Sequence, residues 1–130
     1  MRLIVSNMLS FAEFRVIHNH SPQAQMRLGR RYILVLESTP THNIYRLSYY
    51  RSGTNRPVTM HPAWFPNCAS LLDNARHKII RRIQHGYSLV GWSENFPLLD
   101  WMSQRGYPLE ALPAFKKPAI QLYLPHLSAS

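Results

Sequence analysis

The sequence predicts an α+β fold: a mostly antiparallel sheet with one long amphipathic helix (about 68–85) and one shorter helix (about 96–105) packed on one face. Three observations predict it. Short β-branched and aromatic runs, punctuated by Gly, Pro and Asn, recur through the first half of the chain. One long segment repeats its apolar residues at the helical period between a capping Asn and a Gly. The chain has 130 residues, 45% hydrophobic and 16% charged, which suits one domain with a core and does not suit disorder.

Residues 1–25 are set apart as a segment of uncertain packing, and 26–130 are expected to form a single domain in which Met26 can begin the compact part. The run from Leu3 to Ala12 behind Arg2 has the outline of a signal sequence. Ser6, Asn7 and Ser10 interrupt it, Glu13 and Arg15 follow it, and no small-residue cleavage pattern ends it, so no signal peptide is expected. The polar stretch His18–Gln25 reads as a loop after Phe14-Arg15-Val16-Ile17. Arg31–Glu37 (RYILVLE) is short, apolar and β-branched, hence a buried strand, with Ser38–Thr41 as its turn. In Asn43–Arg51 (NIYRLSYYR), Ile44, Arg46, Ser48 and Tyr50 alternate with Tyr45, Leu47 and Tyr49. Ser52–Asn55 then turns the chain into Arg56–Met60, where Pro57 marks an edge, and the two runs form a hairpin.

His61–Pro66 cannot propagate a helix and is expected to pack Trp64 and Phe65 into the core. After it, Asn67 is a natural N-cap and Gly86 a natural terminator. Between them Cys68, Leu72, Ala75, Ile79 and Ile83 fall on one stripe, flanked by Ala69, Leu71 and Ile80. Tyr87–Trp92 reads as a strand, and Ser93 or Asn95 as the cap of the shorter helix, which Gly106 ends. Ala119–Leu124 reads as a final strand.

Charge says more about partners than about fold. Fifteen Lys and Arg against six Asp and Glu leave a net charge of +9, and arginine outnumbers lysine twelve to three. Guanidinium groups fork onto phosphates and stack on bases, which suits nucleic acid. On the long helix His77, Lys78, Arg81, Arg82 and His85 share an arc away from the apolar stripe. No acid sits four residues from Lys78, Arg81 or Arg82. A capped helix with its acid early and its bases late is also what the helix dipole alone favours, so a plain solvated face is the competing account. Arg30 and Arg31, close to Arg27, and Arg46, Arg51 and Arg56 of the hairpin extend the basic set, with Tyr45, Tyr49 and Tyr50 interleaved. Arg76 falls inside the apolar stripe and must either reach past it to water or pair with Glu37, Glu94 or Asp100.

The expected function is therefore that of a small, basic, non-enzymatic nucleic-acid-binding protein, DNA or RNA. The contacts are expected from Lys78, Arg81, Arg82, His77, His85, Arg46, Arg51, Arg56, Arg30 and Arg31. The alternative is a protein-interaction module, an inhibitor or accessory subunit of a nucleoprotein complex. It would dock its basic face or an aromatic patch around Trp64, Trp92 and Trp101 on an acidic protein surface. A third possibility is a small metal-independent nuclease using His42, His61, His77 or His85 with Arg81. No catalytic residue is picked out by spacing, and no Walker loop, dinucleotide fingerprint or nucleophile elbow occurs. Neither a cofactor nor a metal site is expected: His18-Asn19-His20 lacks a third ligand, and the one cysteine, Cys68, excludes both a disulfide framework and a cysteine-rich zinc site. No segment reaches the ~20 apolar residues that span a bilayer. A cytoplasmic location without membrane contact is expected.

Overall fold

The structure, a computed structural model, describes residues 8–54, 56–60 and 62–110. It is a mixed α/β fold built on an antiparallel sheet with a few helices. The elements are β1 (Met8–Arg15), α1 (Pro22–Met26), β2 (Arg31–Ser38), β3 (Asn43–Tyr50), β4 (Pro57–Thr59), β5 (Ala63–Phe65), α2 (Cys68–Gln84), β6 (Ser88–Trp92) and α3 (Leu99–Gln104). Strand order is β4-β3-β2-β1-β6, with β5 pairing β3 further along the same edge.

β2 and β3 pair in register from Arg31↔Tyr50 to Ser38↔Asn43, closed by a turn in which Thr39 N–H donates to the His42 carbonyl at 2.8 Å. β1 lies between β2 and β6, pairing with β2 along all eight residues and with β6 across a register shift after Glu13. The segment Met8–Arg15, within the stretch that sequence set apart, is thus an inner strand of the sheet. β5 and β6 are each antiparallel to their neighbours and run in the same direction as each other, so α2 is a crossover from one edge to the other.

Asn67 and Gly86 bound α2 as their chemistry requires. The Asn67 side chain accepts from Ser70 N–H at 2.8 Å, an N-cap bond of the kind worth about 1 kcal/mol. Gly86 has φ +91, and a Cβ there would sit 2.8 Å from Ala24 Cβ of α1. The helix therefore ends on a residue that must be glycine twice over, for its φ and for the approach of α1. The buried line of α2 is Leu71, Ala75 and Ile79, with Leu72 and Ile83 partly buried beside it. The stripe is thus rotated slightly toward Leu71 from the one centred on Leu72. Cys68 is half-buried.

α2 and the Phe96–Met102 segment pack on one face of the sheet, against Ala12, Phe14, Tyr32, Leu34, Leu36, Tyr45 and Leu47. The alternate positions, among them Phe11, Ile33, Val35, Ile44 and Val90, are buried as well, on the second face. Burial on both faces is why RYILVLE is a continuous apolar run and not an alternating one. Glu13 also lies on that face with 0% exposure, 3.1 Å from Arg15 Nη2 and 3.9 Å from Arg31 Nη1. A fully buried carboxylate needs such partners to stay charged.

Three local expectations are corrected. His18–Gln25 is not all loop: Ser21 caps α1, accepting from Ala24 N–H at 3.0 Å, and Pro22 takes the first helical position, where its missing N–H costs nothing. Trp64 is 63% exposed, because β5 is a three-residue edge strand. Only Phe65 turns inward, to meet Tyr45 at a ring separation of 5.5 Å. Neither Ser93 nor Asn95 caps α3, which starts after Leu98 without a side-chain cap. Ser93 Oγ accepts from Phe11 N–H and the Asn95 amide donates to the Leu9 carbonyl, so both tie the end of β6 to β1. Arg76 is half-buried, lies 5.9 Å from the Trp101 ring and, among the described residues, makes no ion pair with Glu37, Glu94 or Asp100. The expected strand Ala119–Leu124 lies outside the described residues.

Candidate polyanion cleft

Lys78, Arg81, Arg82 and His85 stand three, four and seven residues apart, so they line one flank of the last turns of α2, about 10 Å of helix axis. That flank faces the start of β2 and the end of β3, not open solvent alone. Tyr32 and Tyr49 are cross-strand partners there, with ring centres 5.7 Å apart. Tyr87, immediately after the glycine that ends α2, meets Tyr32 edge-on at 5.9 Å. The three rings form an aromatic floor.

Arginines lie over it. The Arg82 guanidinium is 4.1 Å from the Tyr32 ring centre and 5.6 Å from that of Tyr87, and Arg30 is 5.9 Å from Tyr49. Lys78 Nζ approaches Tyr45 at 5.9 Å. Cation–π contact of this kind holds the plane of a guanidinium while leaving its N–H edges free to donate. Arg30 is carried into place by the turn after α1, where Arg30 N–H donates to the Arg27 carbonyl and Gly29 N–H to that of Val16.

The result is a cleft of two adjoining cavities. The larger, ≈ 290 Å³, is walled by Arg27 and Arg30 on one side, Arg82 and His85 on another, the three tyrosines below and Val58 and Met60 at the hairpin. The smaller, ≈ 150 Å³, lies between Lys78, Arg81 and Arg82 of α2 and Phe14, Leu34 and Leu47 of the sheet. Tyr32, Met60 and Arg82 border both. Tyr32 Oη donates to Met60 Sδ at 3.3 Å, which ties the hairpin to the floor.

No acid lines either cavity. Among the described residues the ion pairs are those of Glu13, Glu37 and Glu110, and none involves Arg27, Arg30, Lys78, Arg81 or Arg82. The crowding of like charge is felt by His85, whose pKa is lowered below the ordinary histidine value, first by burial and then by Arg27, Arg82 and Arg81. Five uncompensated cations around a concave aromatic floor can hold anionic groups and stack planar ones.

Of the residues expected at an interface, the cleft brings together Lys78, Arg81, Arg82, His85 and Arg30. His77 is exposed and points back along the helix, its Nδ1 2.9 Å from the Asp73 carbonyl. Arg51 and Arg56 are exposed around the β3–β4 turn. Arg31 and Arg46 lie on the second face of the sheet, Arg31 held between Glu13 and the Tyr50 ring, 4.1 Å from its centre. The interleaved tyrosines divide in the same way: Tyr49 reaches the cleft, Tyr50 lies under Arg31 and Tyr45 under α2. Arg27, Tyr32, Tyr87, Val58 and Met60 were not among the expected contacts. Arg27-x-x-Arg30 around a glycine was a usable signal, whereas nothing local marks Tyr32 or Tyr87.

Three of the histidines considered for catalysis do not converge. His42 lies 3.4 Å from Glu37, His77 faces Asp73 and His85 sits in the cleft. His61 is outside the described residues. Among the described residues no group of three or more His, Cys, Asp or Glu is placed to hold a metal ion, and no helix is long and apolar enough to cross a membrane. No family model, curated protein or solved structure matches the chain.

Proposed function

We propose that this protein binds nucleic acid without acting on it, taking backbone phosphates into the cleft between α2, the α1–β2 turn and the β3–β4 hairpin. One observation carries the proposal: Arg27 and Arg30 of the α1–β2 turn and Lys78, Arg81 and Arg82 of α2 converge on one cleft from two separate segments, with no acid among them. A solvated helix face kept for solubility mixes its signs and does not recruit arginines from elsewhere in the chain. The net charge of +9 adds long-range attraction to a polyanion, and the single thiol suits a reducing cytoplasm.

The test is fluorescence anisotropy with labelled oligonucleotides at 50 and 200 mM salt. If about four phosphates are neutralised, the fourfold rise in salt weakens duplex binding by roughly two decades. Reversing both charges, Arg81→Glu with Arg82→Glu, is expected to weaken binding at least tenfold, with circular dichroism unchanged. Undiminished binding by that variant moves the site off the cleft.

A second proposal, docking to a protein partner, draws support from a different place. Trp64 on edge strand β5, Val58 within β4 and Met60 just after it are exposed large apolar groups along one margin of the sheet. Flat oligonucleotide titrations at low salt, with capture of an acidic protein lost in Trp64→Ala, would favour it.

A further inference from the structure

The two cavities differ from a surface made for double helix, and on the basis of the function just proposed we infer that the cleft takes an unpaired strand. Two neighbouring phosphates meet the cations that border the two cavities, Lys78 and Arg81 at the smaller and Arg27 and Arg30 at the larger, with Arg82 between them, and a base lies against Tyr49 and Val58. Three observations point this way.

The first is shape. The cations surround cavities of ≈ 290 and ≈ 150 Å³ that adjoin at Arg82. A duplex presents its phosphates on a stiff convex surface with a persistence length of about 150 base pairs, so it can rest on the rim but cannot send successive phosphates inward. A single strand has the backbone freedom to do so.

The second is the chemistry of the wall. Tyr49 is half-buried, and Val58, its cross-strand partner, is 49% exposed at the mouth of the larger cavity. A phosphate gains nothing from an aromatic ring beside an aliphatic one, whereas an unstacked base gains from both. Bases within a duplex are already stacked and cannot reach them.

The third is the posture of Arg82. Its guanidinium lies 4.1 Å from the Tyr32 ring centre and 5.6 Å from that of Tyr87, makes no ion pair among the described residues, and borders both cavities, so its five N–H donors can serve anions in either. One fork placed between two anion sites suits adjacent phosphates of one chain.

The experiment is a comparison of labelled oligothymidylate and oligouridylate, about 12 nucleotides long, with a duplex of equal length at about 150 mM salt. Either single strand is expected to bind at least tenfold more tightly than the duplex. Tyr49→Ala is expected to lose roughly tenfold of single-strand affinity with its salt slope unchanged, and Arg82→Gln to lose affinity and lower the slope by about one. Val58→Ser, at an exposed position, keeps the test open if Tyr49→Ala fails to fold, and is expected to weaken single-strand binding several-fold. Duplex binding as tight as single-strand binding, or well-folded Tyr49→Ala and Val58→Ser proteins that bind single strands normally, would overturn the inference and leave nucleic-acid binding standing. Absence of binding to all three oligonucleotides at low salt overturns both.

Discussion

The Arg82 guanidinium lies over two tyrosine rings, and four residues earlier Lys78 lies near a third, so the basic flank of α2 is held against the sheet and not dispersed in water. His85 reports on that environment. Burial, then Arg27, Arg82 and Arg81, lower its pKa below the ordinary value of 6.5. The unfolded chain therefore takes up this proton first as pH falls. The contribution to stability is full above about 6.5 and is lost as pH drops from there through the lowered folded pKa. A bound phosphate reverses the local field. It raises the pKa of His85, so nucleic-acid binding is expected to strengthen as pH falls from 8 to 6, and His85→Gln to flatten that dependence. Titration of the His85 ring by NMR, with and without oligonucleotide, checks the sign: a pKa that stays put on binding would place the anion elsewhere.

At the scale of elements, α2 is positioned by its two ends. Asn67 starts it after Pro66, and Gly86 stops it where the backbone of α1 passes. Gly86→Ala must meet both a φ of +91 and a contact of 2.8 Å with Ala24 Cβ. The substitution is expected to cost on the order of 1–3 kcal/mol, lowering the melting temperature by several degrees for a domain of this size. Because α1 leads into Arg27 and Arg30, displacement of α1 should also weaken oligonucleotide binding beyond what the stability loss explains. Thermal melting beside an anisotropy titration separates the two effects, and a variant that melts normally would show that α1 yields freely.

Considered whole, the molecule is a sheet buried on both faces, with Arg27, Arg30, Arg81 and Arg82 gathered on the helix side and Glu13, Arg15 and Arg31 engaged on the other. β1 is the inner strand between β2 and β6. Deleting residues 1–25 removes that strand together with α1 up to its last residue, Met26. It strips β2 and β6 of a shared partner and removes Phe14 and Ala24 from the core. The shortened chain is expected to show no cooperative thermal transition and no near-ultraviolet dichroism. A sharp melt would mean that β2 and β6 re-pair without β1.

Most of the strands and both ends of α2 were legible because their causes are local. Alternation in NIYRLSYYR, the apolar run RYILVLE, a capping Asn and a terminating Gly act within a few residues of themselves. The same alternation sorted Tyr49 from Tyr50 and Arg46, though not which face would carry the cleft. The misplaced features depend on partners distant in sequence. Ser93 and Asn95 look like helix caps and instead bond to β1, more than eighty residues away. Trp64 looks like core and is exposed on β5, which among the described residues has no strand beyond it.

Of the ten residues expected at an interface, Arg30, Lys78, Arg81, Arg82 and His85 border one cleft, and charge patterning alone had singled them out. Sequence by itself determined the excess of arginine, the basic flank of the long helix and the absence of acids near it, since these are properties of composition and of a 3.6-residue period. Only the tertiary structure decided that Arg27 and Arg30 join that flank over Tyr32, Tyr49 and Tyr87, while Arg31 and Arg46 turn away. The reason is the pleat: neighbouring residues of a strand point to opposite faces, so Arg30 before β2 and Arg31 within it part company, and strand pairing fixes which face meets the helix.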